Sequence, residues 1–193
     1  MDIVDSLVDA DTFQDSSYLH DKLLEERSLV LSKEVNQISS ERIISSLLLL
    51  NALDSEKDIN LYLLTSGGWL ADAFGIINAM NAIEAPVNTI AISDVSSSGA
   101  VVLAGGTGKR IGYENSIIMV HANREKGSGE YNWESLDFER FSSFWRKHSS
   151  IPEKWTMIEG DESFYLSADQ ALEYGIIDEV INGSNKTGDG NSE

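Results

Sequence analysis

Three consecutive serines, Ser96, Ser97 and Ser98, stand just ahead of a run of small residues with helical character, and directly behind a segment that reads as a strand. Thirty residues upstream a Gly67-Gly68 pair ends another apolar segment, and His121 ends a third, "SIIMVH" from Ser116. Strand-to-helix junctions of this kind free backbone amides at the first turn of a helix, where a negatively charged oxygen is stabilised. Acyl transfer needs such amides, a hydroxyl beside them and a base to take its proton, and histidine is the usual base near neutral pH. A serine before a helix is far more often a cap than a nucleophile, and the residues alone do not choose among Ser96, Ser97 and Ser98. No G-x-S-x-G elbow is present, which argues against an α/β-hydrolase. The joint occurrence, in this order, of a Gly-Gly turn, a serine turn and a strand-end histidine raises the catalytic reading. The other two histidines serve it less well. His20 lies in a weakly patterned N-terminal part, and His148 at the end of an aromatic, charged helix suits a surface or packing role.

The elements that must position these groups follow from hydrophobic periodicity. Short strands are expected at 28–31, 58–64, 87–92 and 116–121, with a last one in "IIDEVI". Helices are expected at Ser40–Leu53, where Ile43, Ile44, Leu47, Leu48 and Leu50 repeat on one face, from Gly68 through Met80, and from about Ser98. Strand and helix alternate, so crossover connections and a mainly parallel α/β sheet are expected. Trp133, Leu136, Phe141, Phe144 and Trp145 keep roughly helical spacing, a stripe suited either to the core or to a subunit interface. "SIPE" at Ser150 and "SADQ" at Ser167 each have the form of a capping box, and Gly175 stands where the second of these helices should stop.

Bulk composition narrows the function classes. With 193 residues, 41% of them hydrophobic, the chain suits one domain with some decoration. Its 14 Lys and Arg face 32 Asp and Glu, a formal charge of -18, so nucleic acid and anionic membrane surfaces are poor partners, whereas a peptide substrate is unaffected. No cysteine is present, which removes disulfides, thiolate metal sites and a cysteine nucleophile together. Neither a secretory signal pattern nor an apolar run of membrane-spanning length is found, and a cytoplasmic protein is expected. No metal or cofactor is implied. Residues 1–17 read as a flexible acidic arm, 18–181 as the folded domain, and 182–193 as a disordered tail low in apolar residues.

Four stretches, "EKDINLYLLTSGG", "VSSSGAVVLAGGTGKR", "NSIIMVH" and "FYLSADQALEYGIIDEVI", together resemble the family of ClpP, the proteolytic subunit of the ATP-dependent Clp protease, from about Leu23 to Ile181. The resemblance implies a ClpP/crotonase-type spiral of ββα units with a projecting handle at about 122–160. It places the nucleophile on Ser97, the general base on His121, and the oxyanion-hole amides on Gly68 and Ser98, the last at what is usually a methionine position. It implies a homo-oligomer of two stacked heptameric rings, a tetradecamer that encloses the sites, and a AAA+ ATPase that unfolds and feeds in polypeptide substrates.

Several residues depart from that pattern. The family's catalytic aspartate falls on Ser163, with Asp161 and Glu162 as neighbouring carboxylates that a local backbone shift could bring in. The arginine that helps join rings falls on Glu162, and the handle segment reads "REKGSGEYNW". Acidic "VDADTFQDSS" replaces a basic, glycine-containing gate loop. Tyr62 matches one aromatic of the ATPase-docking cleft, while Asn60 stands at its usual aromatic companion. Two further readings follow: a catalytically impaired or inactive subunit with a structural or regulatory role in mixed rings, and a crotonase-type acyl-CoA enzyme, which would have no need of a Ser97–His121 pair.

Overall fold

The structure is a computed structural model that describes residues 16–122, 133–156 and 162–183. Helix α1 (Ser16–Glu25) leads into strand β1 (Ser28–Leu31). Next come α2 (Gln37–Leu53), β2 (Ile59–Thr65), α3 (Leu70–Ala82), β3 (Val87–Ser96) and α4 (Ser98–Ala104). Then follow β4 (Arg110–Tyr113), β5 (Ile117–His121), α5 (Trp133–His148) and a 3₁₀ turn at Glu153–Trp155. The described chain closes with β6 (Ser163–Ser167), α6 (Ala168–Glu173) and β7 (Glu179–Ile181).

The strands form a seven-stranded sheet ordered β1-β2-β3-β4-β7, with β5 branching from β3 and β6 added to β5. Every pairing is parallel except β5 with β6, an antiparallel ribbon in which His121 stands opposite Ser163. Along β3 the partner changes: Thr89, Ile90 and Ala91 pair with β4, whereas Val95 and Ser96 pair with β5. This fork steers β5 toward the end of β3, where the serines lie.

Inward-facing side chains alternate along β2, with Ile59, Leu61 and Leu63 fully buried, as period-2 patterning requires. Against them pack Ile43, Leu47 and Leu50 of α2 and Leu70, Ala73, Phe74, Ile77 and Met80 of α3. Each of these leucine, isoleucine, phenylalanine and methionine side chains contributes about 1.5–3 kcal/mol through the apolar area it removes from water. All seven residues of α4 are buried, so this short helix lies inside the core rather than on it. Phe141, Phe144 and Trp145 of α5 join the same core, Phe144 meeting Phe74 edge to face at 5.6 Å. These three aromatics therefore pack within their own chain, and of the expected stripe Trp133 and Leu136 have side chains outside the described part.

Local differences from the expected elements have identifiable causes. Helix α2 starts at Gln37 rather than Ser40 because Asn36 is its cap, accepting from the Ile38 and Ser39 amides while Ser39 Oγ accepts from the Asn36 amide. Ser167 caps α6 with Gln170, and Gly175 at φ +68° stops it, both as expected. Ser150 is no cap: its amide donates to the Tyr174 carbonyl, and the turn that follows is 3₁₀ with Pro152 at its start. Strand β3 runs four residues past Ile92, and β4 and β6 are additions to the expected set. His20 sits on helix α1, not in irregular chain.

Candidate active site

Strand β3 delivers the chain directly to Ser97, whose amide donates to the Met119 carbonyl of β5 at 2.9 Å. Its carbonyl then accepts from the Ala100 and Val101 amides at 3.0 and 3.3 Å, so Ser97 is the cap residue of α4. Its backbone lies at φ +57°, ψ -126°, a conformation that costs a non-glycine residue about 1–3 kcal/mol and persists only where the surroundings over-determine it. The hydroxyl makes no capping bond. It lies instead 2.8 Å from His121 Nε2. Because Met119 is fixed to the Ser97 amide and strand side chains alternate, His121 two residues on presents its ring on the same side of the ribbon.

The other ring nitrogen bears on the tautomer. His121 Nδ1 lies 2.5 Å from the Ala122 carbonyl oxygen, which can only accept, so this contact suits the tautomer with its hydrogen on Nδ1. A neutral ring then has its lone pair on Nε2, facing Ser97. A hydroxyl beside an unprotonated imidazole nitrogen is the arrangement that a nucleophile–base pair requires. Ala122 was not anticipated as a participant, since a main-chain carbonyl leaves no trace in residue type.

The Gly67-Gly68 turn is pressed against this elbow. At Gly67, with φ +91°, a Cβ would stand 2.6 Å from the Ser96 carbonyl oxygen, 2.7 Å from Ser97 Cβ and 3.0 Å from the Ser98 amide nitrogen. At Gly68, with φ +152°, it would stand 2.2 Å from the Val35 carbonyl oxygen. Two bonds hold the turn, from the Val35 amide to the Gly67 carbonyl and from the Trp69 amide to the Val35 carbonyl, both 2.8 Å. Gly67 thus packs directly against Ser97 and the first amide of α4, while Gly68, next in the chain, packs against Val35 and Glu34.

Thr65 pins these pieces together, and sequence reasoning missed it. Its buried hydroxyl donates to the Lys33 carbonyl at 2.7 Å and accepts from the Gly67 amide at 3.1 Å. Its methyl group meets α4 so closely that a Cβ at Gly99 would stand 2.6 Å away. A threonine two residues before a Gly-Gly pair is a side-chain-to-backbone turn signal that could have drawn notice.

Of the three acidic-position candidates, Ser163 is half-buried and in register with His121. Glu162 is exposed immediately before it, and Asp161 lies outside the described residues. His148 is remote from this chemistry: its ring stacks on Phe144 at 4.4 Å, and burial, assisted by the charges of Lys147 and Arg110, lowers its pKa. Among the described residues no helix is long and apolar enough to cross a membrane.

The fold is thus a parallel α/β core with an antiparallel ribbon, and the site pairs a serine with a histidine at a glycine-lined elbow. The Clp protease family model matches residues 12–184, and the chain belongs to that family. Membership identifies a Clp-type peptidase in general terms, and it implies assembly into oligomeric rings, usually with a Clp ATPase.

Proposed function

We propose that this chain is a serine endopeptidase of the Clp type, cleaving peptides or unfolded polypeptides inside a self-compartmentalised oligomer through an acyl-enzyme on Ser97. The observation that carries the reading is the 2.8 Å approach of Ser97 Oγ to His121 Nε2 at a strained elbow. An extended peptide adds as a strand beside Gly68, its carbonyl carbon toward Ser97. As the Oγ–C bond forms, the hydroxyl proton passes to His121 Nε2, and the carbonyl oxygen takes its negative charge between the amides of Gly68 and Ser98. Collapse breaks the C–N bond, with His121 returning the proton to the leaving amine. Water then repeats the sequence on the ester, releasing the acid and restoring Ser97. Ser98 contributes its main-chain amide, so a serine at this position serves as well as a methionine. The assembly we propose is two stacked heptameric rings in the cytoplasm, served by a AAA+ ATPase.

The test is labelling by a fluorophosphonate probe, read by mass spectrometry. Modification of Ser97, abolished in Ser97→Ala and strongly slowed in His121→Ala, is expected. A folded oligomer that neither labels nor cleaves short peptides would refute the assignment.

A second reading, a Clp-type subunit with impaired turnover, is favoured by the register of Ser163 opposite His121, since a hydroxyl there brings no charge to stabilise an imidazolium. Under this reading Ser163→Asp raises the peptidase rate severalfold or more. An unchanged, measurable rate points to a substitute carboxylate and removes it, whereas a rate that is nil in both proteins points to an inactive subunit with a structural or regulatory role in mixed rings.

A further inference from the structure

Away from the serine site, a cleft of about 270 Å³ opens between β1, the segment that follows it, and α2. Three nitrogen-bearing side chains line it, His20 of α1, Lys33 and Arg42, together with the hydroxyl-bearing Ser32 and Ser46. Among the described residues, not one carboxylate lines it. That composition stands out in a chain whose acidic residues outnumber Lys and Arg 32 to 14. Five other cations are matched by acids: Lys22 with Glu25, Lys57 with Asp54, Lys109 with Glu179, Arg110 with Asp178, and Arg146 with Glu139 and Glu153, while the Arg27 guanidinium is taken up by backbone carbonyls. Among the described residues, the side chains of Lys33 and Arg42 enter no ion pair and no hydrogen bond. Their chain neighbours Glu34 and Glu41 do not line the cleft, and Glu34 turns the other way, its Cγ lying beside Gly68.

The backbone that carries these charges is fixed before any ligand arrives. The Lys33 carbonyl accepts from Thr65 Oγ1 and the Glu34 carbonyl from Ser39 Oγ, both at 2.7 Å. Arg42 stands on the second turn of α2, whose start is held by the Asn36 and Ser39 capping box. Placement of this kind lowers the ordering cost of binding. The volume sits just below the roughly 300–1,000 Å³ of sites that enclose whole drug-sized molecules, so it suits one small group. A planar guanidinium fork matches the paired oxygens of a carboxylate or phosphate, and a nearby ammonium adds a point charge.

We propose that this cleft is a binding site for a small oxyanion, a phosphate or carboxylate group held between Arg42 and Lys33 with the serine hydroxyls as further donors. The site is independent of Ser97 chemistry. Line broadening of inorganic phosphate in ³¹P spectra of the full chain, at constant ionic strength set with chloride, reads binding directly. Acetate competing for the same site tells a preference for carboxylates from one for phosphates. Saturable broadening with a dissociation constant around the millimolar range is expected for so few exposed contacts. Arg42→Gln and Lys33→Gln, both on exposed side chains, are each expected to weaken it roughly tenfold. Neither is expected to change the rate of Ser97 labelling. Saturable broadening lost in both variants, or its displacement by acetate, supports the site. Absence of saturable broadening and of an acetate effect, or broadening equal in the wild type and both folded variants, overturns it.

Discussion

Gly67→Ala tests the geometry of the elbow more sharply than loss of the Ser97 hydroxyl does. The added methyl group would stand 2.6 Å from the Ser96 carbonyl oxygen and 2.7 Å from Ser97 Cβ, where ordinary contact begins at 3.4 Å. Neither neighbour is the free end of a flexible side chain. The strand end and the turn must therefore part by close to an ångström, and Ser97 moves relative to Gly68. Displacement of that size costs on the order of 10²-fold in rate when reacting groups must be aligned. Stability falls as well, by about 1–2 kcal/mol for an alanine held at φ +91° and about 1–3 kcal/mol for the overpacking. Gly175→Ala separates the two causes, because Gly175 also has positive φ, +68°, yet a Cβ there meets nothing within 4 Å. It should cost about 1–2 kcal/mol, a Tm lower by a few degrees, with fluorophosphonate labelling of Ser97 at the wild-type rate. Gly67→Ala should lose Tm and labelling together. A folded Gly67→Ala protein that labels Ser97 as fast as the wild type would show that the glycine turn is no part of the site.

The remaining predictions use the same assays. Ser97→Gly and Ser97→Ala both abolish labelling, but the glycine variant should be about 1 kcal/mol more stable, because only it relieves the backbone at φ +57°; thermal unfolding of the pair checks this. Asp178 has its pKa lowered chiefly by hydrogen bonds from the Arg110 side chain, so the stability it contributes is present above its ordinary value of 3.8 and lost as pH falls through the lower folded value. Asp178→Asn should lower Tm near neutral pH and converge on the wild type in acid. His148 has its pKa lowered chiefly by burial, so the unfolded chain binds its proton first and stability declines as pH falls below the ordinary 6.5. His148→Gln should flatten that part of the Tm–pH curve and leave the more acid limb, set by carboxylates, in place.

Much of the site was legible in the sequence because its parts are residue types with few structural substitutes. A Gly-Gly pair at the end of an apolar strand, serines at the next junction and a histidine at the end of a third strand survive as text. The alternation of strand and helix fixed the parallel core for the same reason. What stayed hidden depends on partners that only folding supplies. Strand β3 continues past Ile92 through polar Ser93 and Asp94, because its last residues pair with β5 rather than with β4. Strand β6 is short, with only Phe164, Tyr165 and Leu166 between two serines, and exists through five pairs to β5. The roles of the Ala122 carbonyl and the Thr65 hydroxyl rest on directions of individual bonds, which no local pattern records.

Ser97 and His121 are anchored with different firmness. Ser97 leads into α4, every residue of which is buried, and it is tied to β5 by its amide. His121 is the last residue of β5, which meets β3 at only two register positions but β6 at five. The distance between hydroxyl and imidazole is therefore governed by the ribbon, and the ribbon is held to the core by Ile118, Val120 and Leu166. Leu166→Ala removes the β6 contribution, at a cost of about 2–5 kcal/mol for a buried leucine. If the ribbon so weakened opens before the core, labelling of Ser97 falls at temperatures where the far-ultraviolet circular dichroism of the oligomer is still native. If labelling and global unfolding instead decline along one curve in Leu166→Ala, β5 is held by the parallel sheet alone, and β6 has no part in placing the histidine.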